Sequence, residues 1–226
     1  MTFIITNDDG IDAPGIRALQ QALNGEGALV APNAPLSGCS HQLTTGRAIT
    51  IERRSDAEFA IGGTPADCTR IALSHLYPKA QFVLSGINAG GNLGADIYVS
   101  GTVAAAREAA LMRIPSIAIS HYIKRGQTLD WDIATRWTTQ VLAKLLHKSS
   151  EPGTFWNVNL PHLEPGAPDP EIVFCSCCTQ PLPTDFQLEG DLFQYTGVYG
   201  KRPREPGTDV DVCFSGQIAV TQLRLW

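Results

Sequence analysis

Two adjacent carboxylates, Asp8 and Asp9, follow the first apolar run of the chain at residues 2–6. Neighbouring carboxylates at the end of a buried strand repel each other and are costly to desolvate unless a cation joins them. Oxygen ligands of this kind select hard divalent ions such as Mg²⁺ or Mn²⁺. The sequence Asn-Asp-Asp-Gly is also typical of a solvated turn, and the residues alone leave both interpretations open.

Neutral oxygen and amide groups occur in two other loops. Ser37 lies in a Ser-Gly-Cys-Ser segment after a short apolar run, and Asn88 and Asn92 lie in a glycine-rich stretch at residues 86–94. Such groups serve as metal ligands or phosphate contacts, although singly each is more often an ordinary loop hydrogen-bonding residue. The stretch lacks G-x-G-x-x-G spacing, so it is weak evidence for a nicotinamide cofactor.

The turn Ser100-Gly101-Thr102 opens an alanine-rich segment. The amino terminus of a helix carries unpaired N–H groups and partial positive charge, so hydroxyl groups beside it can complete an anion site. The alternative is that Ser100 is an ordinary N-cap, which is the commoner role for a single turn of this type.

Several catalytic signatures are absent from the sequence, namely the P-loop, the G-x-S-x-G elbow and the H-E-x-x-H zinc motif. The five histidines show no ligand spacing, and only His41 falls near the candidate residues, where a supporting or surface role is expected rather than catalysis. The six cysteines form no C-x-x-C pair. For Cys175, Cys177 and Cys178, small buried side chains in a reducing cytosol are favoured over a thiolate zinc site or redox pair.

The composition of the chain argues against nucleic-acid polymers and membranes as binding partners. The 226 residues carry 17 Lys and Arg against 22 Asp and Glu, a net charge of −5, and no segment is basic enough to favour a nucleic-acid polymer. The apolar runs are far shorter than the ~20 residues that span a bilayer, and no secretory signal is recognisable. We therefore expect a cytoplasmic protein that interacts with neither a nucleic-acid polymer nor a membrane.

Short apolar runs alternate with segments of helical spacing over the first 150 residues. Strands are predicted at residues 2–6, 28–30, 47–53, 58–61, 81–85 and 116–120, and helices at residues 14–23, 66–76, 100–112 and 131–147. This alternation is typical of βα units around a largely parallel sheet, in which ligands bind at the carboxyl ends of the strands. We expect the loops that carry Asp8, Ser37 and Asn88 to meet at one such end.

A change in composition divides the chain into a core of residues 1–150 and a β-rich extension of residues 151–226. The extension holds nine of the 15 prolines, with strands predicted at residues 156–160, 172–178, 193–199 and 217–225 and no helical pattern between them. We expect it to pack on the core, on another subunit, or on both. Because its apolar strand faces would otherwise meet solvent, an obligate oligomer is predicted.

Six short motifs occur in the order and at the spacing of a known family. They are Asn7-Asp8-Asp9-Gly10 with Ala13-Pro14-Gly15, Ala31-Pro32, Ser37-Gly38-Cys39-Ser40, Gly63-Thr64-Pro65-Ala66-Asp67-Cys68, Ser85-Gly86-Ile87-Asn88-Ala89-Gly90 with Asn92-Leu93-Gly94, and Ser100-Gly101-Thr102-Val103-Ala104-Ala105-Ala106. On these motifs the chain resembles the SurE (survival protein E) family of metal-dependent nucleoside monophosphate phosphatases. The resemblance is dense over residues 1–120 and sparse afterwards, where Pro206-Gly207-Thr208-Asp209 is the clearest remnant.

The resemblance implies a Rossmann-like three-layer α/β core with one divalent cation, Mg²⁺ or Mn²⁺, in each subunit. The metal positions of the family correspond here to Asp8, Asp9, Ser37 and Asn88. Its phosphate contacts correspond to Asn92, Ser100, Gly101 and Thr102. The resemblance also implies a homodimer or homotetramer assembled through the C-terminal part.

The sequence thus predicts a 5′-nucleotidase, a divalent-metal-dependent phosphomonoesterase acting on nucleoside 5′- and 3′-monophosphates by metal-assisted hydrolysis. Asp8, Asp9 and Asn92 are its candidate catalytic residues. The alternatives are an exopolyphosphatase or other Mg²⁺-dependent phosphohydrolase, and a nucleotide-binding module without turnover. Gly91 stands where the family usually has Pro, and residues 174–181 replace a stretch that is usually more polar and basic, so base preference and oligomeric state stay open.

Overall fold

A nine-stranded sheet runs through the computed structural model, which describes residues 1–148, 151–164 and 166–226. The strands are β1 (Phe3–Thr6), β2 (Ala28–Pro32), β3 (Ile51–Arg53), β4 (Glu58–Ile61), β5 (Phe82–Ala89), β6 (Ser116–His121), β7 (Thr154–Leu160), β8 (Ile172–Phe174), β9 (Phe186–Glu189), β10 (Leu192–Tyr195) and β11 (Ile218–Arg224). The α-helices are α1 (Pro14–Ala22), α2 (Pro65–Ile71), α3 (Gly101–Leu111), α4 (Trp131–Leu145) and α5 (Asp209–Phe214).

The order of strands in the main sheet is β3-β4-β2-β1-β5-β6-β7-β11-β8. The six strands from β4 to β7 run parallel, whereas β3, β11 and β8 at the two edges run in the opposite direction. The chain passes from β1 to β2 on one side and continues with β5 on the other, which makes the gap between β1 and β5 the topological switch point. The predicted α/β class with a largely parallel sheet is confirmed.

Alternation along the buried strands divides the core into two layers. Ile5 of β1 packs with α1 and α4, where Ile16 and Trp137 belong to the same buried cluster. Its neighbour Ile4 points to the opposite face and packs with Cys68 of α2 and Ala109 of α3. Successive strand side chains face opposite sides, so a fully apolar strand of this kind requires helices on both faces. The result is a three-layer core.

The last third of the chain differs from the sequence prediction in its details. It contains a helix, α5, where none was expected, because residues 151–226 showed only strand patterns. Strands β7, β11 and β8 continue the main sheet, while β9 and β10 form a separate antiparallel hairpin, of which β9 was not predicted. Strand β8 ends at Phe174, so Cys175 and Cys177 lie beyond it rather than on one strand face.

No helix in the described part of the chain is long and apolar enough to cross a membrane.

Helix α1 approaches the end of β5 so closely that only glycine fits at position 15. A Cβ on Gly15 would lie 2.0 Å from the carbonyl oxygen of Ile87, which immediately precedes Asn88. We expect Gly15→Ala to lower the free energy of unfolding by about 2 kcal/mol, because overpacking forces the strand end or the helix to move. Urea unfolding measures the loss. Gly46→Ala is the matched control, since nothing lies within 4 Å of a Cβ there, and an equal loss in both variants would contradict this explanation.

Candidate active site

Asp8 and Asp9 follow β1 at the switch point, as predicted, and their environments differ. Asp8 is buried, and burial is the main cause that raises its pKa to about 6; the Thr102 hydrogen bond opposes this shift and the charge of Asp9 adds to it. Asp9 is half-buried, and burial also raises its pKa against the hydrogen bond from the Ala89 amide, at 3.3 Å from Asp9 Oδ2. The pair therefore concentrates negative charge in a partly desolvated place.

The amino terminus of α3 meets Asp8 directly. The Thr102 hydroxyl donates to Asp8 Oδ1 at 2.5 Å, and Ser100 Oγ accepts the Val103 N–H at 3.1 Å as an N-cap. This close approach requires glycine at position 101, because a Cβ there would lie 2.8 Å from Asp8 Cβ and 2.9 Å from Cys39 Sγ. The Ser-Gly-Thr turn thus brings the positive end of the helix to the carboxylate pair.

The loop after β2 brings Ser37 to the same place. The Leu36 N–H donates to the backbone oxygen of Asp8 at 2.8 Å, one residue before Ser37, whose side chain is exposed. Further along, the Ser40 hydroxyl donates to the Tyr98 carbonyl at 2.8 Å. The loop is therefore attached at two points to segments that border the candidate site.

His41 fastens this loop to α3 rather than entering the site. Its Nε2 lies 2.7 Å from Oε2 of the buried Glu108, whose Oε1 accepts from Arg70 Nε at 2.5 Å. Burial raises the pKa of Glu108, but the hydrogen bonds from His41 and Arg70 outweigh it and leave that pKa below its usual range. The carboxylate therefore stays ionised, and His41 has a supporting role.

Asn88 reaches the site because β5 extends past a bulge. The pairing of β5 with β6 shifts register between Ser85 and Asn88 and then continues to Ala89, where the sequence had predicted a loop. Asn88 Nδ2 donates to the Gly90 carbonyl at 2.8 Å. In the described part of the chain no donor bonds Asn88 Oδ1, so this oxygen is available as an acceptor, and the next residue, Ala89, donates its N–H to Asp9.

Asn92 is held by polar residues that the sequence analysis missed. Its Nδ2 donates to Ser120 Oγ at 2.7 Å, and its backbone N–H donates to Asn159 Oδ1 at 2.8 Å. Its carbonyl oxygen accepts from Asn157 Nδ2 and Asn159 Nδ2. The available signal was two asparagines alternating with apolar residues in the buried strand β7, since buried amides require specific partners.

A second anchor of the same loop comes from the C-terminal part. Asp96 Oδ2 accepts from the Leu93 N–H at 3.2 Å, from the Tyr199 hydroxyl at 2.5 Å and from Arg202 Nη1 at 2.7 Å. Burial and the neighbouring Asp96 carboxylate raise the pKa of Tyr199, so its hydroxyl stays protonated and donates. This cluster fixes the turn between Asn92 and Ser100.

The six cysteines are all free, and Cys178 and Cys213 lie in one buried apolar cluster against which Cys175 packs. Cys175 Sγ lies 3.7 Å from Thr221 Oγ1, whereas Cys213 Sγ contacts the Leu160 carbonyl. Burial raises the pKa of Cys177 to about 12, which keeps its thiol protonated and unsuited to a thiolate site. Among residues 1–148, 151–164 and 166–226, no group of three His, Cys, Asp or Glu side chains is arranged to hold a metal.

A hard divalent cation fits the donor set at the switch point. Within the described residues, no Lys, Arg or His forms an ion pair with Asp8 or Asp9, although burial raises the pKa of both. Two carboxylates, the Ser37 hydroxyl and the free Asn88 amide oxygen are all oxygen donors, which is the chemistry that Mg²⁺ and Mn²⁺ prefer. The structure thus joins Thr102 directly to Asp8 and the backbone of Ala89 to Asp9, and the use of the eight predicted residues as one site stays a prediction.

A doubly wound sheet with paired carboxylates and a helix amino terminus at its switch point defines a Rossmann-like α/β protein with a site suited to a cation and an anion. The family model described as Survival protein SurE matches residues 3–181, and the chain belongs to the SurE family.

Known relatives are similar over the whole chain. A protein of Nostoc sp. (strain PCC 7120) named "Putative 5'-nucleotidase alr3139" is 62% identical over 100% of both chains. The "5'-nucleotidase SurE" of Paramagnetospirillum magneticum is 33% identical over 99% of this chain and 89% of its own. Among solved structures, the SurE protein from Aquifex aeolicus has a TM-score of 0.87 at 30% identity, covering 100% of this chain and 94% of that one.

The raised pKa of Asp8 predicts how stability depends on pH without metal. A carboxyl whose pKa is raised in the folded state disfavours folding as pH rises from its unfolded value, 3.8, through about 6. Asp8→Asn should therefore stabilise the metal-free protein at pH 8 by up to about 3 kcal/mol, and the gain should vanish below pH 4.

Thermal unfolding in EDTA at both pH values measures this difference. The control is Asp12→Asn, because Asp12 is exposed and the Arg54 hydrogen bond holds its pKa below the usual value. No gain at pH 8 is expected for that variant. If Asp8→Asn were destabilising at pH 8, the desolvated charge would not be the dominant feature of this position.

Proposed function

We propose that this SurE-family chain is a divalent-metal-dependent phosphomonoesterase that removes phosphate from nucleoside 5′- and 3′-monophosphates. The observation that carries the proposal is the contact between the Asp8–Asp9 pair and the amino terminus of α3 through Thr102. A cation position and an anion position therefore adjoin, as phosphoryl transfer requires. The names of the relatives, 5′-nucleotidases, support the substrate class.

The donors that would hold Mg²⁺ or Mn²⁺ are Asp8, Asp9, Ser37 and Asn88. When bound, the cation supplies Lewis-acid stabilisation of the charge on the phosphoryl oxygens. Asp9 is the better placed of the two carboxylates to orient an attacking water, because it is partly exposed whereas Asp8 is buried against Thr102. Direct attack by a carboxylate is the competing route, and the adjacent Asp8–Asp9 pair lacks the D-x-D spacing typical of it.

The proposed phosphate contacts are Asn92 and the amino terminus of α3. One N–H of the Asn92 amide donates to Ser120 Oγ, and within the described residues the second has no acceptor, so it can donate to a bound phosphate. The N–H groups of Gly101 and Thr102, in the first turn of α3, have no partner within the helix and suit an anion. Together these donors would stabilise the charge that develops on the equatorial oxygens.

We also propose a cytoplasmic location, since six free cysteines suit a reducing compartment.

Phosphate release from AMP, GMP, p-nitrophenyl phosphate and tripolyphosphate, with Mg²⁺ or Mn²⁺ and with EDTA, tests the function. We expect release from both nucleotides that requires the cation, and a loss of orders of magnitude in Asp9→Asn with the fold intact. Asp12→Asn, three residues away and exposed, should retain activity. Release from tripolyphosphate alone would indicate an exopolyphosphatase, and nucleotide binding without release would indicate a non-catalytic module.

Substitutions in the turn that opens α3 can distinguish a role in phosphate binding from a role in capping the helix. Thr102→Ala should lower kcat/KM and weaken inhibition by inorganic phosphate together, because the hydroxyl that bonds Asp8 is lost, while Thr102→Ser should retain both. Ser100→Ala should remove a cap worth ~1 kcal/mol of stability and spare catalysis. Kinetics and thermal melts of the three variants provide the measurement. Normal phosphate inhibition in Thr102→Ala would remove this turn from the phosphate site.

We propose that the extension of residues 151–226 joins two or four subunits through the β9–β10 hairpin. Its apolar side chains are exposed on both strands, with Leu192 74% and Phe193 71% exposed. They are Phe186, Leu188, Leu192, Phe193 and Tyr195. Phe193 and Tyr195 pair with Leu188 and Phe186 on one face of the hairpin, and Leu192 lies on the other. Exposed apolar faces with free strand edges are an aggregation hazard unless another surface covers them, and C₂ association of identical chains is the commonest closed symmetry.

Light scattering tests the oligomer. The wild type should exceed the 24.3 kDa of one chain at micromolar concentration, and Leu192→Asp with Phe193→Asp should shift it toward the monomer without unfolding, since both side chains are exposed. Leu111→Asp, which changes an exposed apolar residue outside the hairpin, is the control. A monodisperse wild-type monomer would exclude the proposal.

A further inference from the structure

A cavity of about 500 Å³ adjoins the loop that carries Asn88 and Asn92. One wall follows β6 and consists of Tyr122, Ile123 and Arg125. The other follows the β9–β10 hairpin and consists of residues 195–200, including Tyr195 and Tyr199. None of these residues has a part in the cation or phosphate positions described above.

The cavity lies next to Gly91, the residue that precedes Asn92. A Cβ on Gly91 would lie 3.5 Å from both Tyr122 Cβ and the Tyr199 hydroxyl, so the backbone of the residue before Asn92 forms its border. The Tyr199 hydroxyl also donates to Asp96, which fixes the turn between Asn92 and Ser100. A molecule with its phosphate at Asn92 would therefore need only a short reach across Gly91 to enter the cavity.

The lining offers aromatic faces and one free cation. The Tyr122 ring stacks on Phe214 with centroids 4.6 Å apart and lies 6.2 Å from the Tyr199 ring, and the Arg202 guanidinium lies over the Tyr199 ring at 5.1 Å. Packing therefore fixes both rings, and each has one face in contact with a neighbour of the fold. Arg125 is exposed and forms no ion pair within the described part of the chain. A guanidinium donates and never accepts, and aromatic faces bind flat π-systems. A nucleobase with carbonyl acceptors on its edge matches both properties.

A second cavity lies on the other side of the site, next to the Ser37 loop. Its volume is about 560 Å³, and its lining includes Thr44, Thr45, Thr64 and Arg47. It is large enough for a nucleoside, but no aromatic side chain lines it. The Arg47 guanidinium is the single planar group in this lining on which a base can stack, whereas the first cavity has several aromatic rings, so the tyrosine-lined cavity is the better match.

We propose that the nucleoside of the substrate lies in the cavity between Tyr122, Arg125 and Tyr199, with its base stacked on tyrosine and its edge facing Arg125. The inference rests on the proposed phosphomonoesterase function and specifies its substrate more closely. Because Arg125 supplies only donors, bases with acceptor edges are favoured, and guanine presents two acceptors, O6 and N7, to a single arginine. GMP is therefore the nucleotide of choice for the test.

The experiment compares GMP with glycerol 2-phosphate, a monoester without a base, on the metal-supplemented full-length protein. Arg125→Gln and Tyr122→Leu should lower the ratio of kcat/KM for GMP to that for glycerol phosphate by roughly tenfold, mainly through KM, since base stacking and edge contacts are of that size. Tyr122→Phe should keep most of the ratio. Arg47→Gln, in the second cavity, is the matched control and should leave the ratio as it is.

Calorimetric binding of guanosine, which has no phosphate, is measured on the same proteins. Weaker guanosine binding in Arg125→Gln and Tyr122→Leu supports the inference even if the wild type releases no phosphate, in which case the proposed function fails alone. If neither Arg125→Gln nor Tyr122→Leu changes the ratio of the two kcat/KM values or the affinity for guanosine, the inference is overturned, with or without phosphate release. If Arg47→Gln alone lowers the ratio of kcat/KM for GMP to that for glycerol 2-phosphate, the inference is also overturned, and the nucleoside is assigned to the second cavity. Because Arg125 is exposed, its variant gives a decision even if Tyr122→Leu fails to fold.

Discussion

Two neighbouring carboxylates, Asp8 and Asp9, lie at the end of a buried strand, and the surrounding residues must compensate their partly desolvated negative charge. Asp8 is removed from water at the switch point of the sheet, and its raised pKa expresses the electrostatic cost. The structure offsets part of this cost with the Thr102 hydroxyl and the positive end of α3, which can approach only because position 101 has no side chain. The remaining charge favours a divalent cation, and that cation in turn favours a phosphate beside it.

The residues that hold this arrangement come from distant parts of the chain. Asn157 and Asn159 of β7 bond the backbone of Asn92, and Tyr199 and Arg202 bond Asp96. In a low-dielectric interior such a network is stable only when its members are mutually satisfied, so it fixes the loop in one geometry. The N-terminal motifs carry the candidate site residues, and the C-terminal part supplies many of the hydrogen bonds that hold the loop between Asn92 and Ser100.

Tyr199 and Arg202 lie beyond the stretch of residues 3–181 that the SurE family model matches, although whole-chain relatives cover them. The same segment follows the exposed β9–β10 hairpin and forms one wall of the tyrosine-lined cavity. The proposed subunit contact, the proposed nucleoside cavity and the anchor of Asp96 thus all involve residues 186–202. Variation in this segment could alter substrate preference without touching Asp8, Asp9 or Asn88, because its contacts with the site act through Asp96 and Gly91.

The sequence by itself determined the α/β class and the meeting of the Asp8, Ser37 and Asn88 loops, because strand and helix periodicities are local and parallel strands share one carboxyl end. It did not predict α5, the extension of β5 to Ala89, or the partners of Asn92 and Asp96. Strand β5 continues past its bulge only because β6 lies beside it, and Arg202 reaches Asp96 across 106 positions of sequence. Residue pairs so far apart in sequence leave no local sequence pattern, because they form only when the completed sheet brings two surfaces together. The tertiary structure alone therefore decided these contacts.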